Sequence, residues 1–323
     1  MSITIRQSSL SMGCIYLLAA PLVFWASLTL TIPYVNGDQI SYRLFYKALA
    51  QAPLYEIPRL QLVNTGSAEP LYGAIMWLGA NLDIEKDVYV AIWNTILAYA
   101  LIRLTMLRRS NIIFVILLLT NFYFIVLLTA AERLKFAYIA SAFAVASNSP
   151  WRSLIWTIVA LLSHFQSMIT FGAWASGYIS RIRIRSIFRR RNFFTIALLG
   201  PIICAIGVVF ALWFQASILA KINAYVGSGE LFSLFNILIL LIVSLICLPK
   251  KAEITIMLLV CALAAVAIGA DRVNMIAVSI FIYVCIRDRR TSHPAALALM
   301  AYFTFKSMGF VKLIFAEGSG FAA

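Results

Sequence analysis

The chain has 323 residues, of which 63% are hydrophobic and 12% charged, and its mean hydropathy is +0.94. Soluble domains carry about 25% charged residues, so the composition excludes an ordinary soluble enzyme. It implies an all-α polytopic integral membrane protein, a helical bundle of about eleven transmembrane helices plus one short interfacial or re-entrant helix. The formal net charge of +14, from 26 Lys and Arg against 12 Asp and Glu, is read as cytoplasmic-loop bias and not as nucleic-acid binding, because inward loops of membrane proteins collect basic residues.

In chain order, the apolar run 10–32 is long enough to span and is read as a first membrane helix, not a cleaved signal. A polar stretch, 33–68, follows, with Pro33, Pro53, Pro58 and "NTGS". The run from Pro70 to Leu82 is too short to cross and ends in "DIEKD", which predicts an interfacial or re-entrant helix. Residues 33–87 are thus expected as an outward-facing polar loop carrying one short helix. Further runs predict spans near 88–107, 111–130, 134–148, 152–163, 166–180, 193–213, 232–248, 253–269, 273–286 and 294–314. Residues 181–192 form a basic loop and 214–231 a second outward loop, and the whole of 1–323 is read as one transmembrane domain. Cys14, Cys204, Cys247, Cys261 and Cys285 lie in or beside apolar runs without ligand spacing, as small hydrophobes do.

Orientation follows from "RLTMLRR", "RIRIRSIFRRR", "PKK" and "RDRR", all assigned to the cytoplasm. The parity works only if 70–82 does not cross and if the chain from Arg152 to Arg181 goes out and returns, turning near His164. Each arm then measures roughly 20 Å against a hydrocarbon core of about 30 Å, so the turn sits at some membrane depth or the arms are tilted. This topology puts the start of the chain inside and its end outside. Of the acids only Glu253 and Asp288 fall inside; Asp38, Glu56, Glu69, Asp83, Glu85, Asp87, Glu132, Glu230, Asp271 and Glu317 fall outside. The sorting used only Lys and Arg, so the clustering of acids and His164 at one side is independent and points to an outward polar cavity.

Within "TAAERLKFAY", Arg133 shares a helix face with Ala137, Ala140, Ser141 and Ala144. Small residues face neighbouring helices in a membrane, so Arg133 points into the bundle, where a guanidinium marks a functional site by default. The alternative is a structural ion pair with Glu132, Asp38 or Asp271. Asp271 and Arg272 interrupt another pair of spans, as a second charged device or as a plain charged turn. His164, beside Gln166 and Ser167, is either a hydrogen-bonded core residue or part of the cavity. Asp38, Tyr42 and Arg43 lie just past the first span, and in "GSAEPLYG" Ser67 is placed to cap the short helix with Glu69 near its positive end. The other reading of Glu69 is a carboxylate aimed at the cavity. Asp83, Glu85 and Asp87 read as a solvated turn, with a metal site as the weaker alternative. There is no Walker A loop, GxSxG, HExxH or dinucleotide fingerprint.

The order "NGDQISYRLFY", "AEPLYGAIMWLG", "AERLKFAYIA", "LLSHFQSMITF" and a late "ADRVN" resembles the EpsG/Wzy-type family of oligosaccharide repeat-unit polymerases, over most of residues 30 to 285. Departures are Leu71 where the family has Gly, Glu132-Arg133-Leu134-Lys135 for polar-Arg-Gln, and Ser163 before the His. The resemblance implies a glycosyltransferase of the bacterial inner membrane that polymerises O-antigen or capsular repeat units at the outer face. Its substrates would be an undecaprenyl-diphosphate-linked donor and acceptor among membrane lipids, with a chain-length regulator as a further partner. Asp38, Glu69 and His164 are the candidates to activate the acceptor hydroxyl. Arg133, Arg272, Lys135 and Lys221 are the cations for the departing diphosphate, and Tyr42, Glu132 and Asp271 complete the cavity. Such a cationic site needs no metal and no cofactor. A lipid-linked glycan flippase and a membrane acyltransferase with His164 as base remain the other classes. Against them stand the absence of internal repeats with charge at the midplane and of an HxxxxD motif.

Overall fold

The computed structural model describes residues 9–181 and 232–321. Lys221 and the expected segments 193–213 and 214–231 lie outside the described residues, as do the side chains of Asp271 and Arg272. The described residues are helical, with no strand among them. The expected single domain is organised as two compact units, Met1–Met168 with Cys285–Ala323, and Ile169–Val284.

The first unit is built on five helix pairings. Helix α1 (Ser9–Thr31) lies against α5 (Lys86–Leu107), α5 against α8 (Glu132–Ala146), and α8 against α9 (Pro150–Ser163). At the chain's end α14 (Pro294–Glu317) lies against α6 (Ile112–Thr120) and α7 (Phe122–Leu128). Between α1 and α5 come three shorter helices, α2 (Asp38–Leu49), α3 (Ile57–Thr65) and α4 (Pro70–Asn81). In the second unit α11 (Phe232–Cys247) packs on α12 (Lys251–Ile268). Helices α10 (Ser167–Arg181) and α13 (Ala270–Arg287) lie mostly in that unit, where Gly177 leaves room for Met257 and Trp174 packs on Tyr283 at 4.9 Å.

Helix α4 and the break at His164 match the expected boundaries; His164 leaves the helix in an extended conformation, φ −162° and ψ 126°. Two expectations need correction. The stretch 33–68 is not a polar loop: Gln39, Tyr42, Phe45, Tyr46 and Leu49 recur at helical spacing and bury one face of α2. Pro58 in the first turn of α3 and Gly66 in the left-handed region (φ +67°) beyond its end bound a second helix there. The run 111–130 is not one span either. Asn121 takes an extended conformation, its side chain accepts from Phe124 N at 3.0 Å, and the helix restarts.

The two ends of the first unit differ in chemistry. At one end Gly318 O accepts from Val35 N (3.0 Å) and Asn36 N (2.8 Å), which ties the close of α14 to the link after α1. At the other, Asn111 N donates to Thr291 Oγ at 3.0 Å, so the basic segments around Arg108 and Arg290 lie together. Helix α5 joins the ends; its 22 residues reach roughly 33 Å. Of the described helices α5 and α14 are long and apolar enough to cross a membrane, and Tyr16–Thr31, Leu234–Cys247 and Val273–Arg287 are shorter apolar stretches. Large apolar side chains stand exposed on several helices, among them Leu22, Trp25, Trp151, Phe305 and Met308.

Candidate functional site

The first turn of α8 carries two adjacent charges that part company. Glu132 turns to α2 and α5, where Lys86 Nζ donates to Oε1 at 2.6 Å and Gln39 Nε2 at 2.7 Å. Gln39 closes the group, accepting from Lys86 at 2.8 Å and donating to Thr129 O at 2.6 Å. The Tyr72 hydroxyl reaches Oε2 at 3.4 Å. Arg133 turns to the link between α3 and α4: its Nη1 meets Ser67 Oγ and lies 3.3 and 3.4 Å from the two oxygens of Glu69. Its guanidinium carbon lies 6.0 Å from the Tyr42 ring centroid. Ala137 and Ala140 are buried as the small-residue stripe requires.

Glu69 is the hub of the second group. It is wholly buried, and its Oε2 accepts from Ser67 Oγ at 2.6 Å and Gln61 Nε2 at 2.8 Å. Its Oε1 faces His164 Nδ1 at 2.9 Å, while His164 Nε2 faces the Gln166 side chain at 3.2 Å. Burial alone pushes the Glu69 carboxyl up, but the hydrogen bond to His164, the charges of Arg133 and His164 and the Ser67 hydroxyl together hold it at about 2. Glu69 is therefore ionised at neutral pH. The stability this contributes is complete above the ordinary value of 4.5 and is lost as pH falls toward about 2.

Glu69, His164, Arg133 and Tyr42, chosen from four separated stretches of sequence, thus come together, His164 and Arg133 at the Glu69 carboxylate and Tyr42 beside the Arg133 guanidinium. Lys135, buried on the same helix, reaches Leu128 O at 3.4 Å and adjoins the Glu132 group. Asp38 is not brought in: it is exposed in the first turn of α2, one turn above Tyr42. The expected capping by Ser67 fails, because Glu69 is the residue before α4 and Ser67 spends its hydroxyl on the Glu69 side chain. Two of the expected ion-pair partners of Arg133 are corrected, since Glu132 belongs to Lys86 and Asp38 is exposed; the third, Asp271, has its side chain outside the described residues, and among those residues Glu69 is the partner. The acids of "DIEKD" scatter. Asp87 pairs with Arg43 at 3.0 Å, Glu85 caps α5, and among the described residues no metal-binding group of His, Cys, Asp and Glu is assembled.

Lys86, Gln39 and Gln61 were missed by sequence reasoning. The two glutamines carried a signal, since each falls on the inward face of an amphipathic helix. Gly73 lets Gln61 work: a Cβ there would lie 2.8 Å from Gln61 Oε1 and 2.6 Å from the Ile57 methyl. Gly73→Ala is expected to cost about 1–3 kcal/mol by overpacking and to push Gln61 off Glu69. A denaturant midpoint in mixed micelles equal to that of the parent protein would refute it.

No family model matches the chain, and no curated protein or solved structure is found similar to it.

Proposed function

We propose that this chain is a metal-independent glycosyltransferase of the bacterial inner membrane, an eleven-span helical bundle that polymerises undecaprenyl-diphosphate-linked repeat units at the outer face. One observation carries the reading: three of the stretches behind the family resemblance, around Glu69, Arg133 and His164, meet within hydrogen-bonding distance at a single buried carboxylate. The exposed apolar side chains support a lipid solvent, since soluble proteins seldom expose large apolar patches.

The chemistry follows from the geometry. The acceptor hydroxyl oxygen attacks the anomeric carbon of the donor glycan. The bond from that carbon to the lipid diphosphate breaks, and its electron pair leaves with the diphosphate. Arg133 stabilises the leaving charge, as preorganised cations do where charge develops, with Arg272, Lys135 and Lys221 as the further expected cations. In its neutral form His164 takes the hydroxyl proton at Nε2 once the acceptor displaces Gln166 Oε1, 3.2 Å away, while Glu69 orients the ring by accepting from Nδ1–H at 2.9 Å. Glu69, held at about 2, is too weak a base for that role, and Asp38 stands outside the cluster. Lys86 offsets Glu132 and Arg133 offsets Glu69, so Lys135 is a positive charge in excess whenever it is protonated. An anionic substrate would balance it.

The test is reconstitution in liposomes with lipid-linked repeat units. Polymer longer than one unit, formed in excess EDTA, is expected. Transfer of unpolymerised substrate between leaflets without longer product would identify a flippase instead. In cells lacking the chain, single repeat units should reach the outer acceptor.

A further inference from the structure

The contacts of Glu69 are unequal. Ser67, Gln61 and His164 approach it at 2.6, 2.8 and 2.9 Å. Arg133 stands off at 3.3 and 3.4 Å, although charge-assisted arginine–carboxylate bonds close to about 2.7–2.9 Å. Arg133 Nε is moreover buried and has no hydrogen-bond partner among the described residues. A buried donor without an acceptor is unfavourable, so this pairing does not satisfy the guanidinium. Removing Arg133 from Glu69, by contrast, would leave the carboxylate with three good donors. The site is arranged so that one member of the pair can leave without stripping Glu69 of its donors, and that member is the cation.

Resting on the polymerase reading, we propose that Glu69 is a resident counter-ion: it holds Arg133 in the empty site and hands it to the diphosphate of the incoming lipid-linked substrate. Arg133 exchanges its loose carboxylate contact, together with the Nη1 contact to Ser67, for a bidentate phosphate contact that engages Nε. Glu69 then belongs to His164, Ser67 and Gln61 alone. Its undivided charge favours the imidazolium that forms when His164 accepts the acceptor's proton, so substrate binding and activation of the base become one event.

Two variants should move binding in opposite directions. Glu69→Gln removes the competing charge from Arg133, and purified protein in nanodiscs should bind undecaprenyl diphosphate more tightly, by about 3-fold or more. Polymer formation at saturating substrate should nevertheless fall at least about 10-fold, because His164 loses its anionic partner. Gln61→Leu removes one of the donors that hold Glu69, so the carboxylate leans on Arg133 and the Kd should rise by about 3-fold. A purely structural pair cannot give opposite signs. Weaker binding by Glu69→Gln, or tighter binding by Gln61→Leu, overturns the proposal while leaving the polymerase standing. Parent protein that neither binds the lipid diphosphate nor makes polymer overturns both.

Discussion

Arg133→Lys should lose at least about 10-fold in polymerisation, a barrier increase of roughly 1.4 kcal/mol, in protein that still inserts and accumulates. The geometry explains why a retained charge is not enough. Arg133 uses Nη1 for Ser67 and Glu69 and keeps Nε, on the other side of the guanidinium, unengaged. A lysine ammonium is a single point charge and cannot serve a carboxylate on one edge and a phosphate on another. Arg133→Ala should lose more activity. A structural ion pair predicts a different pattern, since Ala would then destabilise the fold and Lys would restore it. Glu69 keeps His164, Ser67 and Gln61 when Arg133 is gone, which cushions stability and leaves activity as the sensitive quantity. The measurement is polymer length at limiting substrate, normalised to protein in the membrane. Full-length polymer from well-expressed Arg133→Lys would defeat the assignment and make Arg272 the better diphosphate ligand.

How far the sequence foretold this site depends on the kind of signal each residue carries. The inward aim of Arg133 was legible because Ala137, Ala140 and Ala144 repeat along its face, and periodicity is a local property. The turn at His164 was legible because the basic segments at Arg152 and Arg181 sort to one side, which requires the chain between them to go out and return. The partner of Arg133 was not legible. Glu69 lies 64 residues away, and no local pattern connects the start of α4 to the start of α8. Asn121 was overlooked because one amide inside "LLLTNFYF" barely alters hydropathy, yet its side chain replaces a backbone acceptor and breaks the helix. Helices α2 and α3 were hidden by their own amphipathicity, since a half-buried helix averages to a polar composition. Lys86 was not legible because it stands among the acids of "DIEKD", whose pattern fixes no face; only the start of α5 aims it inward.

Loss of either member of the Lys86–Glu132 pair should weaken the fold near the site, and loss of Glu132 the more. The two are buried together at 2.6 Å, and Gln39 bridges them. Breaking such a pair leaves an unpaired buried charge and costs about 3–5 kcal/mol. In Lys86→Met the carboxylate keeps Gln39 at 2.7 Å and the distant Tyr72 hydroxyl, and Lys135 is close by on the same helix, so the low end of that range is expected. Glu132→Gln should cost more, because it strands two buried cations, Lys86 and Lys135, with no anion between them. The double variant Lys86→Met with Glu132→Gln should recover part of the loss, since it strands Lys135 alone where Glu132→Gln strands two basic groups. The ordering is read from unfolding midpoints in mixed micelles. It also bears on function, because Glu132 ties the first turn of α8 to α2 and α5, and Arg133 is the next residue along that turn. Both single variants should therefore lose polymerisation beyond what their folded fraction explains, with the double variant between them and the parent. If Lys86→Met unfolds within about 0.5 kcal/mol of the parent, the spread of an ordinary surface change, then Lys135 alone neutralises Glu132 and the anchor of α8 must be assigned to it.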